Sequence, residues 1–176
     1  MIYEVTDSKK LDELEKSMVE DPNYTKKGPE SALSHLKSAL YDWRVENQWE
    51  NPTAYVYSFD DVGYMFISMT KREPRHCTLR HIFILEEGRG KRAGVQLIEK
   101  MREVMKEKGV NILRMFINRP ALGFYNKLGF NDFHGVSKTN MPFYYGDPYG
   151  NLVTLPQAQK RYLKPKEVEP KLDEWL

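Results

Sequence analysis

Residues 79–108 constrain this chain more than any other stretch. Leu79 to Leu85 is apolar and β-branched-rich, which reads as the end of a buried strand running from His76 to Leu85. Glu86 to Gly90 is a short run of charge and glycine, where the chain turns. Val95, Leu97, Ile98, Met101, Val104 and Met105 then recur at helical spacing, and Gly109 stands where a helix C-cap is wanted. Val110 to Ile117 follows as another strand. Strand, crossover helix, strand is a βαβ unit, so these two strands are expected to be parallel. An abrupt helix start after a Gly/Arg loop gathers several backbone N–H groups at one point, and the helix dipole makes that point attractive to a phosphate. Arg89, Lys91 and Arg92 add positive charge around it. A pyrophosphate cradle is the expectation; a solvated basic helix start is the alternative.

The flanking sequence supplies further elements. Ile2 to Val5 reads as a short strand, and Thr6, Asp7 or Ser8 can cap a helix whose buried face is Leu11, Leu14, Met18 and Val19. Asp21-Pro22-Asn23 ends that helix; Pro29 opens a second one carrying Leu33, Leu36, Leu40 and Trp43. Ala54 to Phe59 and Tyr64 to Met69 are strands joined by an Asp60-Asp61-Val62-Gly63 hairpin turn. After the βαβ unit, Asn118-Arg119-Pro120 opens a short helix that Gly129 ends, and Phe130 to Val136 and Met141 to Tyr145 read as two closing strands. A single domain over 1–155 and a charged tail over 156–176, extended or loosely packed, is the expected organisation.

Composition narrows the class more than the function. With 176 residues, 40% hydrophobic and 30% charged, the chain has an ordinary globular make-up and is large enough for a real core. The net charge of +2 points to no partner, but residues 71–92 carry seven bases and three acids, a local excess that suits an anionic ligand. One cysteine, Cys77, rules out an intrachain disulfide and fits a reducing compartment. No apolar run approaches the ~20 residues of a membrane span, and the N-terminus has no signal-peptide pattern, so a cytoplasmic protein is expected.

Two motifs carry a family resemblance. Arg89-Gly90-Lys91-Arg92-Ala93-Gly94 resembles motif A of the GCN5-related N-acetyltransferases, the GNAT superfamily, whose signature is Gln/Arg-x-x-Gly-x-Gly/Ala; Arg92 stands where that signature has its middle glycine. Residues 118–130 are similar to motif B of the same family, matching at Asn118, Ala121, Phe124, Tyr125, Leu128, Gly129 and Phe130. The resemblance, which covers roughly residues 1–145, implies an α+β (α/β/α) GNAT fold: a mixed, mostly antiparallel central sheet with a parallel splayed strand pair, flanked by helices.

The same resemblance implies an acyl-CoA-dependent N-acyltransferase that passes acetyl from acetyl-CoA, its co-substrate, to a small-molecule or macromolecular amine by direct attack. It implies that Arg89, Gly90, Lys91, Arg92, Ala93 and Gly94 hold the pyrophosphate, that the strand backbone at Ile82, Phe83 and Ile84 and the side chain of Asn118 meet the pantetheine arm, and that Tyr125 protonates the departing thiolate. For the base, His81 has a suitable unperturbed pKa, with Asp60, Asp61, Glu73 and His134 as weaker candidates and Cys77 as a weak candidate nucleophile. No metal site is expected. Tyr144, Tyr145 and Tyr149 could stack on a flat substrate and Lys138 could meet a phosphate, or the same segment could be an aromatic core hairpin. Two other functions stay open: a nucleic-acid-binding or DNA-modifying protein of phage type, and a non-catalytic scaffold of the same fold.

Overall fold

A computed structural model describes residues 1–20, 38–41, 43–45, 53–161 and 163–164. Leu33, Leu36 and most of the expected second helix lie outside the described residues. The chain divides into two compact units, Met1–Val110 and Asn111–Leu176.

The first unit is an antiparallel sheet of four strands in sequence order: β1 (Ile2–Glu4), β2 (Ala54–Phe59), β3 (Gly63–Met69) and β4 (Cys77–Ile84). The β2–β3 turn, residues 60–62, places Asp60 and Asp61 at φ 47° and 58°, left-handed geometry that matches the twist of the flanking strands, and the Val62 N–H closes it on Phe59 O at 2.9 Å. Period-2 alternation sorts the side chains onto two faces. On one face Val56, Tyr64, Phe66 and Phe83 pack with Leu11, Leu14 and Met18 of helix α1 (Ser8–Glu20) and with Leu40 and Trp43 of the helical residues 38–41 and 43–45. Asp7 caps α1, accepting the Lys9 N–H at 2.9 Å.

The other face carries helix α2 (Ala93–Glu107), which buries Ala93, Leu97, Ile98, Met101, Val104 and Met105. Five of these are the residues whose spacing predicts the helix; Val95, also predicted, is only half-buried. The helix start sits close to the sheet because Gly63 and Gly88 have no side chains. A Cβ on Gly63 would come within 2.9 Å of Ile84 Cδ1, and one on Gly88 within 2.8 Å of Val62. At the far end Gly109 N–H reaches Lys106 O at 3.2 Å and Val110 N–H reaches Met105 O at 2.9 Å, a Schellman cap as expected from the glycine.

The second unit contains β5 (Leu113–Phe116), a 3₁₀ turn (Arg119–Ala121), α3 (Leu122–Lys127), β6 (Val136–Ser137), β7 (Phe143–Gly146), α4 (Gln157–Lys160) and β8 (Leu163–Lys164). β5 pairs antiparallel with β7 and β6 with β8. Its core is a run of edge-to-face rings: Phe124–Tyr125 at 5.1 Å, Tyr125–Phe130 at 6.3 Å and Phe130–Tyr144 at 5.0 Å.

Two expectations fail here. Phe130 to Val136 is not a strand; only Val136 and Ser137 are. Gly135 at φ 108° bends the chain just before them, and opposite them the segment makes only an isolated bridge, Val136 to Pro142, carried by the Ser137 N–H to Met141 O at 2.8 Å and the Phe143 N–H to Gly135 O at 2.9 Å. Nor is the start of the tail an extended arm. Gln157–Lys160 is a helical turn whose Gln159 accepts from Arg114 Nε at 2.9 Å, and Leu163–Lys164 adds a strand to Val136–Ser137.

Candidate functional site

The turn between β4 and α2 is built to leave amides unsatisfied. The Leu85 N–H reaches Val62 O at 2.8 Å, and the Gly88 and Arg89 N–H groups are used inside the 3₁₀ turn Glu86–Gly88. The Gln96 N–H, bonded to Arg92 O at 3.1 Å, is the first donor to find an acceptor in the helix. By helix geometry the amides of Ala93, Gly94 and Val95 ahead of it have no acceptor within the helix. The N-cap residue Arg92 makes no side-chain cap bond at this end, and no acid lies in the first turn. Gly90 has φ 79° with no atom within 4 Å of where a Cβ would stand, so the loop backbone there is open to a ligand.

Arg89, Lys91 and Arg92 are all exposed around this opening. Arg89 is anchored by a 3.3 Å bond from its guanidinium to Ile84 O. Arg92 is the N-cap residue of α2 and is left-handed, φ 59° and ψ 25°. That conformation explains why the motif signature has glycine at this position. Arginine adopts it at a cost of about 1–2 kcal/mol. The backbone shape that glycine would favour is therefore present, with a cation added. Three orphan amides, a helix dipole and three cations fit a diphosphate of the coenzyme A kind.

Ile82, Phe83 and Ile84 are half-buried and pair with Met65, Tyr64 and Gly63 of β3. Just before them the ladder slips. Phe66 faces His81 but Ile67 faces Leu79, so Arg80 is an extra residue, a β-bulge. The polar pair Arg80-His81 interrupting an apolar run is the only trace of it in the sequence. Arg80 reaches Ser38 Oγ at 2.9 Å. The His81 ring is half-buried, edge-on to Phe66 at 6.1 Å and stacked near Phe83 at 6.4 Å, on the face that carries α1.

The remaining candidate bases have structural employment. Asp60 accepts from the N-terminal amine at 2.6 Å, and Glu73 accepts the Arg75 N–H at 3.3 Å. Asp61 is gripped by the Tyr3 hydroxyl, by Lys10 at 3.2 Å and by Ser58; the Tyr3 hydrogen bond leads the effects that hold its carboxyl below the usual range. His134 Nε2 lies 3.0 Å from Tyr145 O. Cys77 is fully buried, and burial alone pushes its thiol up to about 12, which leaves it no nucleophilic thiolate at neutral pH.

In the second unit, Asn118 is the exposed cap before the 3₁₀ turn, and Tyr125 is 5% exposed on α3. Burial pushes the Tyr125 phenol well above the ordinary tyrosine range. Gly129 ends the helix at φ 103° and lies against Gly150, whose Cβ would come within 2.0 Å of Gly129 O. Tyr144 and Tyr145 are buried, at 0% and 1%, and Phe143, Tyr144 and Tyr145 belong to the core; of the proposed stacking platform only Tyr149 is exposed. Lys138 is exposed as well. Among the described residues no cluster of His, Cys, Asp and Glu could hold a metal ion, and no helix is long and apolar enough to cross a membrane.

A model of the Acetyltransferase (GNAT) family matches residues 16–130. No curated protein sequence matches the chain. Among solved structures, the chain is similar to the PaiA N-acetyltransferase of Thermoplasma acidophilum in complex with coenzyme A: 17% identity, TM-score 0.62, with 84% of this chain and 99% of that one covered. It is also similar to a predicted acetyltransferase of Clostridium acetobutylicum with acetyl-CoA, at 14% identity, TM-score 0.57 and coverage of 76% and 92%. An acetyltransferase of the GNAT family from Staphylococcus aureus gives 12% identity, TM-score 0.57 and coverage of 84% and 98%. At these identities the likeness shows the fold alone, and it is the expected GNAT fold, a mixed sheet flanked by helices.

Proposed function

The chain belongs to the acetyltransferase (GNAT) family, and from that we propose that it is an acyl-CoA-dependent N-acyltransferase that uses acetyl-CoA to acetylate an amine. The observation that carries the reading is the start of α2, where the amides of Ala93, Gly94 and Val95 open beside Gly90 among three exposed cations. Bound acetyl-CoA would supply an acetyl group activated as a thioester. Arg89, Gly90, Lys91, Arg92, Ala93 and Gly94 hold the diphosphate, and the backbone of Ile82, Phe83 and Ile84 with the side chain of Asn118 orients the pantetheine arm.

His81 is the proposed acceptor of the amine proton and Tyr125 the proposed donor to the leaving sulfur. Burial makes Tyr125 a reliably protonated phenol but also a weaker acid. A thiolate leaving into equally dry surroundings gains basicity by the same effect, so the transfer is not penalised twice. The amine acceptor is the second substrate; a nucleic-acid acceptor is less well supported, since the hairpin tyrosines that would have stacked on bases are core residues.

Isothermal calorimetry of coenzyme A against the protein and its Arg92→Glu variant tests the reading. Replacing one cation by an anion beside a diphosphate should weaken binding by tenfold or more, since each unit charge at about 4 Å contributes roughly 1–4 kcal/mol near a surface. Equal affinities would refute the cradle.

A further inference from the structure

A second cation-lined hollow lies in the first unit, at the other end of α2. It is a cavity of about 470 Å³ lined by Lys71, Arg75 and Lys108, the hydroxyl residues Thr53 and Thr70, and the apolar surfaces of Tyr55 and Met69. Lys108 is the C-cap of α2, so the hollow is a helix length from the β4–α2 turn, about 22 Å at 1.5 Å per residue. Among the described residues, no carboxylate belongs to its lining.

Part of this charge has a plain structural use. Cations favour a helix C-terminus, and Arg75 donates from Nη1 to Lys108 O at 3.1 Å and from Nε to Thr70 O at 3.4 Å. That role explains Arg75 but not the concavity. The same bonds fix the guanidinium on the cavity wall, and Lys108 Nζ is held 4.7 Å from the centre of the Tyr55 ring. Two of the three cations are therefore positioned before any ligand arrives, which lowers the ordering cost of binding one. The volume falls within the range of small-molecule sites, and a planar guanidinium flanked by ammonium groups suits phosphate oxygens; the Thr70 hydroxyl is engaged with the His76 backbone, accepting its N–H at 2.8 Å.

We propose that this cavity binds a small phosphate-bearing molecule, its phosphate held by Lys71, Arg75 and Lys108 and its organic part laid against Tyr55 and Met69. The site is independent of the α2 N-terminus and does not require acetyl transfer.

Inorganic pyrophosphate is the probe, titrated at low salt into full-length protein. An Arg89→Gln/Arg92→Gln background weakens the β4–α2 turn as a competing site. In that background pyrophosphate should still bind, with amide NMR shifts centred on Thr53, Thr70 and Arg75, and adding Lys71→Gln/Lys108→Gln should weaken it at least about tenfold. Arg75 stays intact because its backbone bonds are structural, and an unchanged melting temperature without ligand verifies the fold of the lysine variant. If that pair of substitutions unfolds the protein, Lys71→Gln alone together with the NMR shifts decides. Loss of all pyrophosphate binding in the Arg89→Gln/Arg92→Gln background, or indifference to the lysine substitutions, overturns the proposal. So does steeply salt-dependent binding of a single-stranded oligonucleotide at these residues without pyrophosphate binding, which would make the surface a nucleic-acid contact.

Discussion

Arg92 and Tyr125 each do something their residue type resists. Arg92 occupies a left-handed backbone conformation at a helix start, and Tyr125 keeps a phenol within an aromatic core. For Tyr125 the consequence is kinetic. Removing only the hydroxyl, Tyr125→Phe keeps the ring contacts, so coenzyme A affinity should hold while kcat falls about 10²-fold or more, the usual range for a lost general acid. Unchanged kcat in steady-state assays would remove Tyr125 from the chemistry. The carboxylates make a pH prediction. Burial pulls Asp147 up, but the hydrogen bonds it accepts from Asn151, Tyr149 and Gly150 outweigh it and hold the group low; Asp61 is held low by Tyr3 and Lys10. A carboxylate depressed in the folded state stabilises above its unfolded pKa of about 3.9, and loses that contribution as pH falls through the folded value. Melting temperature should therefore be insensitive to these groups from pH 7 to 5 and fall below about pH 4. Asp147→Asn should flatten that acid limb; an unaltered limb would contradict the assignment.

At the scale of elements, helices, turns and most strands were legible from local signals, while details set by distant partners were not. α2 is written in its apolar spacing and its C-terminal glycine, and the β2–β3 hairpin in its Asp-Asp turn. The bulge at Arg80 depends on which β3 residue faces which β4 residue, and the brevity of β6 on the bend at Gly135. Gly129 shows the same limit. Its place in the second motif is visible in the sequence, but its reason is the Asp147–Asn151 turn seated on it, whose Asp147 accepts the Tyr149 and Asn151 N–H groups at 2.8 and 3.0 Å. Gly150→Ala must strain φ 111° and drive a methyl into Gly129 O, so a loss of about 2–4 kcal/mol is expected by urea denaturation, toward the upper end for point substitutions. A loss under 0.5 kcal/mol would mean that this turn does not pack on the helix end.

For the whole molecule, the two motifs identify the family from a few residues because each encodes a backbone requirement: amides left open by an abrupt helix start, and a helix end that needs glycine. The acceptor is a different matter, since no residue pattern in the sequence encodes a particular amine. The proposed function therefore rests on the β4–α2 turn. Amide NMR of ¹⁵N-labelled protein titrated with coenzyme A reads that turn directly. The largest shifts should fall on Gly90, Ala93, Gly94 and Val95. Binding that leaves those four amides unmoved, or no binding at millimolar coenzyme A, would contradict the account.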